Sequence, residues 1–152
     1  MRMQDLSELY QTVLLEHNRH PRNFGVLTDA TGVGHGDNPS CGDQVTVYAR
    51  LDGGRITALS FQGSGCAISQ ASASLMTLKL KGKSPAEARA LYEKFHQLIT
   101  SGAPADEGDE SLGDLAALAG VHQFPARIKC ATLGWHAALN AIQDGPRATS
   151  TE

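Results

Sequence analysis

With 152 residues, 41% hydrophobic and 19% charged, the chain fits one domain and can bury a core without disulfide staples. A formal charge of −3 gives no global pull toward nucleic acid or an anionic membrane, and no apolar stretch approaches a membrane span. The start, Met1-Arg2-Met3-Gln4-Asp5, lacks the apolar block of a secretory signal, so the expected location is cytoplasmic. Three cysteines is an odd count, unlike a secreted disulfide scaffold, and in a reducing compartment they stay as thiols.

The first helix is predicted to begin at Asp5, with Glu8 three residues on in a capping-box arrangement. Leu6, Tyr10, Val13 and His17 fall on one face, and Pro21 ends the helix. Residues 20–25 read as an ordered turn or extended stretch. Over 31–62 the period changes to that of strands. Residues 31–37 alternate with glycines and suit an edge strand. Residues 44–51 alternate cleanly, with Val45, Val47, Ala49 and Leu51 on one face. Asp52-Gly53-Gly54 is a hairpin turn, and 55–62 return as the next strand.

A helix is predicted over 67–80, rich in alanine and serine. Ser84-Pro85-Ala86-Glu87 is a strong helix start that leads to a buried face of Ala88, Leu91, Phe95 and Leu98. Residues 100–110 read as a mobile acidic loop. A short helix over 112–118 stops at Gly120. Pro125 opens the last helix, which carries Ile128, Trp135, Leu139 and Ile142. The predicted domain is 1–145, and 146–152 form a polar, disordered tail. The order predicts an α+β fold: an N-terminal helix, a three-stranded antiparallel sheet, then a helical layer on one face.

Each cysteine sits in a suggestive setting. In extended chain, Cys41 and Asp43 point to the same side, and Gly42 lets the backbone bend around a shared ion. Cys66 follows Gly63-Ser64-Gly65 at a strand-to-helix junction, where the helix dipole favours a thiolate. Cys130 lies one turn into the last helix, flanked by Arg127 and Lys129. Three thiolates and a carboxylate make the four donors of a tetrahedral site, and two excess negative charges around a divalent ion call for cations such as Arg127 and Lys129. The plainer reading is that the cysteines are small buried hydrophobes and the two basic residues a solvated helix face. No spacing by itself brings the three thiols to one place. His17 reads as a hydrogen-bonded core histidine. His35 lies in a glycine-rich strand from which it could approach the site. His96, His122 and His136 have no ligand-like spacing.

The strings His17-x-x-His20-Pro21-Arg22-Asn23-x-Gly25, Asn38-Pro39-x-Cys41-Gly42-Asp43, Gly63-x-Gly65-Cys66-Ala67-Ile68-Ser69, Ala71-Ser72-Ala73-Ser74 and Arg127-Ile128-Lys129-Cys130 together resemble the U-type iron–sulfur cluster assembly proteins, the IscU/NifU-N/SufU fold family. The resemblance runs from about Leu6 to Ile142. Scaffold-type members carry a histidine directly before the third cysteine, where this chain has Lys129. That difference, the longer stretch over about 82–119, and Phe124-Pro125-Ala126-Arg127 look like the SufU branch.

That resemblance implies a bound Zn²⁺ on Cys41, Asp43, Cys66 and Cys130. It further implies sulfur accepted on Cys41 from a SufS-type cysteine desulfurase, with Arg127 assisting, and delivery to downstream Fe–S assembly or sulfur-acceptor proteins. The alternative is a scaffold that holds iron or a [2Fe–2S] cluster on the same ligands. A third possibility is a docking domain stabilised by structural zinc. Neither nucleic acid nor a membrane is an expected partner.

Overall fold

In a computed structural model, the backbone is described for residues 3–103, 111–142 and 147–150, and side chains for 11–103 and 111–142. Strict alternation builds the frame. β1 (Gly32–Asn38), β2 (Asp43–Asp52) and β3 (Arg55–Ser64) form an antiparallel meander. Val45, Val47, Ala49, Leu59 and Phe61 are buried on its inner face. The positive φ of Gly53 and Gly54 closes the β2–β3 hairpin.

Helices cover that inner face. α1 (Met3–Arg19) leads into the sheet; its capping-box residues Asp5 and Glu8 lie outside the described side chains. α2 (Ala67–Leu80) follows β3, and α3 (Pro85–Ser101) follows at once. At the α3 start Ser84 Oγ accepts from Glu87 N–H at 3.2 Å, while Glu87 Oε1 accepts from Ser84 N–H at 2.9 Å. Gly102 ends it in the left-handed region, φ 86°. α4 (Pro125–Ala141) is the central helix, with Trp135 stacked on Phe95 at 5.0 Å between ring centroids.

Three features differ from expectation. A fourth strand, β4 (Arg147–Ser150), pairs in parallel with β1, giving the order β3-β2-β1-β4. Within the expected polar tail, residues 147–150 thus flank β1, which is not an edge. The polar sequence of β4 has no apolar alternation, and it is the pairing with β1 that makes it a strand. The β1 glycines have another cause, the close approach of α4. A Cβ on Gly32 would stand 1.8 Å from the Ala141 carbonyl oxygen, and one on Gly34 would stand 1.9 Å from that of Ala137. Finally, the segment after the acidic loop is a 3₁₀ helix over Gly113–Gln123 that runs past Gly120, because Val121 is buried and holds it down. Of the expected loop, 104–110 lie outside the described residues.

The outer side of β3 is closed by local chain. Gly25 N–H donates to Phe61 O (2.7 Å) and Phe61 N–H to Asn23 O (3.0 Å). Further along, Ile56 N–H donates to Lys83 O and Gly82 N–H to Ile56 O. The His20–Gly25 string is held in turn by α2. Ser74 Oγ meets His17 Nδ1 at 2.7 Å and accepts Arg22 N–H at 2.8 Å, and Asn23 Nδ2 donates to Thr77 Oγ1. His17 is thus a buried, hydrogen-bonded histidine, and burial lowers its pKa. Among the described residues no helix is long and apolar enough to cross a membrane.

Candidate metal centre

Four local structures meet at one end of the sheet. β1 ends at Asn38, which stands opposite Asp43, the first residue of β2. The chain between them is a tight turn with Pro39 second. Cys41 N–H donates to Asn38 O at 3.1 Å and Gly42 N–H to Pro39 O at 3.4 Å. Gly42 takes φ 72°, and no atom lies within 4 Å of where its Cβ would be. The turn lifts Cys41 to a half-buried position, while the sheet holds Asp43 fully buried.

Asp43 is shared. Its Oδ1 accepts the backbone N–H of Cys66 at 2.8 Å, and its Oδ2 lies 3.9 Å from Cys66 Sγ. One carboxylate oxygen is thus tied to the start of α2 and the other faces the thiols. This close approach requires glycine at position 65, where a Cβ would come within 2.5 Å of Asp43 Oδ1. Cys66 is the N-cap of α2, and its sulfur accepts from Ser69 N–H at 3.5 Å.

Cys130 arrives from α4 and is fully buried. Asn38 Nδ2 donates to its sulfur at 3.6 Å. One residue on, Ala131 O accepts from Ser72 Oγ at 2.6 Å, which ties α4 to α2 beside the site. The donor atoms of Cys41, Asp43 and Cys130 all lie within 4.8 Å of one another. Among the described residues they are the one group of three or more acidic, cysteine or histidine side chains so gathered. Cys66, the fourth expected ligand, falls outside that group of three, with its sulfur 3.9 Å from Asp43 Oδ2.

The electrostatics are those of crowded negative groups. Burial drives the Cys130 thiol pKa well above its ordinary value, and hydrogen bonds with Asp43, Cys41 and Cys66 push it further. The exposed Arg127 guanidinium is held more firmly in its charged form, chiefly by its hydrogen bond to Cys130 and then by the charges of Cys66, Cys130 and Cys41. Of the two expected cations, Arg127 therefore serves the cluster. Lys129 is exposed, and its carbonyl accepts from Thr132 Oγ1.

The donor set suits a divalent metal. Soft sulfur with one carboxylate oxygen is zinc-like chemistry, and a cation removes the mutual repulsion that keeps a buried thiol protonated.

The histidines stay apart from it. His35 alternates to the opposite face of the sheet, where its Nδ1 meets Thr46 Oγ1 at 3.1 Å, so it does not approach the thiols. His122 Nδ1 meets Ala119 O, and His136 Nε2 meets the Tyr92 hydroxyl. Two participants escaped the sequence reading, the Asn38 amide and the missing Cβ of Gly65. The Asn-Pro pair before Cys41 was the available signal for the first. For the second, a glycine directly before a helix-capping cysteine was the available signal.

Comparison with known proteins follows the same residues. The family model described as NifU-like N terminal domain matches residues 9–131. The chain is 44% identical over 138 residues to the zinc-dependent sulfurtransferase SufU of Bacillus subtilis, covering 91% of this chain and 92% of that one. It is 37% identical over 148 residues to the iron-sulfur cluster assembly scaffold protein IscU of Streptococcus pyogenes, covering 97% and 91%. The crystal structure of FiSufU from Fervidobacterium islandicum superposes with a TM-score of 0.77 at 32% identity, covering 86% of this chain and 94% of that one.

Proposed function

The chain belongs to the NifU-like N-terminal domain family, and on that premise we propose that it is a zinc-dependent sulfur acceptor in iron–sulfur cluster assembly. The observation that carries this is the convergence of Cys41, Asp43 and Cys130 within 4.8 Å, with Cys66 beside Asp43. The 44% identity to a zinc-dependent sulfurtransferase supports the same reading. Cys41, Asp43, Cys66 and Cys130 are the proposed ligands. When bound, Zn²⁺ would keep the thiols deprotonated and neutralise part of their charge.

The remaining chemistry belongs to the chain. Cys66 caps a helix and Cys130 is buried in one, so both are anchored. Cys41 rides a turn with open space at Gly42, so it is the thiol that swings out. The donor is a persulfide on a cysteine desulfurase of SufS type. The Cys41 thiolate attacks the outer sulfur, and a new S–S bond forms on Cys41. The old S–S bond breaks, and its electron pair leaves on the desulfurase thiolate, with no net oxidation. Arg127, already held by its hydrogen bond to Cys130 and then by the charges of the thiols, stabilises the negative sulfur during the exchange. The chain thus acts as a co-substrate of the desulfurase, in a reducing, cytoplasmic setting, and hands its sulfur to a downstream Fe–S assembly or acceptor protein.

The test joins metal analysis to sulfur transfer. The purified protein should carry about one zinc per chain, and it should raise desulfurase turnover. Cys41→Ala should fold, by far-UV circular dichroism, and accept no persulfide sulfur. Persulfide trapped on the alanine variant would remove Cys41 from the acceptor role. The same donors would also suit a [2Fe–2S] cluster, as the name of the S. pyogenes relative suggests. Iron with stoichiometric sulfide, transferable to an apo-acceptor, would replace the zinc reading with that one.

A further inference from the structure

We propose that Asn38 is a positioning residue that pins the Cys130 sulfur while leaving the Cys41 sulfur free to move. The inference rests on reading Cys130 as a metal-bound thiolate.

Asn38 is fully buried, so its amide must be hydrogen-bonded or it destabilises the fold. Besides its pairing with Asp43 in the sheet, three of its bonds bear on the site, and each has a distinct job. Its Oδ1 accepts from Ser40 Oγ at 3.1 Å. Its backbone carbonyl accepts from Cys41 N–H at 3.1 Å. Its Nδ2 donates to Cys130 Sγ at 3.6 Å, inside the range for a bond to sulfur. The orientation of the amide follows from its partners. A deprotonated sulfur can only accept, so the NH₂ must face Cys130, and the oxygen is left for the Ser40 hydroxyl.

The three bonds treat the two cysteines differently. Cys130 receives an N–H on its sulfur. Such a bond draws charge off a thiolate, lowers its nucleophilicity and orients it toward a metal. Cys41 is linked to Asn38 through backbone alone, which shapes the turn and leaves its sulfur unrestrained by this residue. One side chain thereby makes the site unequal. The thiol meant to stay is pinned at its reactive atom, and the thiol meant to react is held only at its main chain.

Asn38→Asp and Asn38→Leu together test the proposed role. The carboxylate keeps the volume and still accepts from Ser40, but it has no N–H for sulfur and adds a buried charge; leucine has no N–H and adds none. A purely structural part in the turn would leave the band in place in the leucine variant. In cobalt-loaded protein the thiolate-to-metal charge-transfer band should move to lower energy in both variants. Competition with a chromogenic chelator should show metal held about ten- to a hundredfold less tightly. Ser40→Ala, which spares the N–H···S bond, should leave the band in place.

An unmoved band with affinity within about twofold of the parent, below the range for outer-shell partners, overturns the proposal alone. A parent protein with no thiolate–cobalt band overturns the metal reading and this inference together. If neither variant folds, the unaltered protein decides. Loaded with cadmium-113, it should show scalar coupling from the metal to an Asn38 side-chain amide proton across the N–H···S bond. No coupling in a loaded, folded sample refutes the contact.

Discussion

Adding one methyl group at position 65 should loosen the metal centre without replacing a donor. In Gly65→Ala the new Cβ would stand 2.5 Å from Asp43 Oδ1 and 3.1 Å from its Cγ. An ordinary contact needs about 3.5 Å, so the carboxylate must withdraw by about 1 Å. Asp43 is fully buried, so it cannot swing into water. The movement stretches the 2.8 Å bond from Cys66 N–H to Oδ1 toward breaking. Net loss of a hydrogen bond to a charged group costs about 1.5–3 kcal/mol. A ten- to hundredfold loss of metal affinity, the usual effect of disturbing an outer-shell partner, is about 1.4–2.8 kcal/mol. The two estimates agree, because the same bond orients the carboxylate and steadies the start of α2.

The assay is zinc competition with a chelator, alongside thermal unfolding with and without excess zinc. A metal that binds only the folded state raises its stability by RT ln(1 + [Zn]/Kd), so weaker binding shrinks the thermal shift. Gly120→Ala is the control, since nothing lies within 4 Å of its Cβ position. Parent-like affinity and an unchanged shift in Gly65→Ala would refute the assigned packing of Asp43 against Gly65.

Two further outcomes are expected. Arg127→Ala should retain zinc but slow sulfur transfer by about tenfold, the size of one charge-assisted contact of about 1.4 kcal/mol. Arg127→Lys should restore only part of the rate, read in a single-turnover assay with persulfidated desulfurase. Stability should also fall with acidity. Burial lowers the pKa of both His17 and His136 in the folded protein, so the unfolded chain takes up protons first. Their contribution is fully present above the unfolded histidine value of about 6.5 and declines as pH drops below it toward the folded values. Urea unfolding midpoints between pH 7.5 and 5 should show this slope, and His17→Gln should flatten it.

What the sequence disclosed was whatever local chemistry decides. The bounds 67–80 of α2 and the Ser84-Pro85-Ala86-Glu87 start of α3 follow from capping and periodicity within a few residues, and both stand in the structure. The β2 strand followed from alternation. The chain order of helices and strands was legible for the same reason. Features set by partners distant in sequence were not. Gly32 and Gly34 looked like edge-strand punctuation because α4, about a hundred residues later, is what needs the space. β4 has no apolar rhythm of its own and is a strand only because β1 offers it a ladder. At the site, each cysteine announced itself by its neighbours. Their meeting depends on the Asn38–Asp43 register and on the Ser72–Ala131 tie, and neither is visible in spacing.

The backbone-to-backbone contact of α4 on β1 also sets how compliance is distributed around the thiols. Side chains that separate two elements can change rotamer and let them drift. Here the Ala137 and Ala141 carbonyls rest where the Cβ atoms of Gly34 and Gly32 would be, so there is no side-chain cushion to compress. The height of Cys130 above the end of β1 is therefore fixed by covalent dimensions. On the other side of Asn38 the chain turns through Pro39 to Gly42 with open space around it. One wall of the site is packed backbone on backbone, and the open side is the one that carries Cys41.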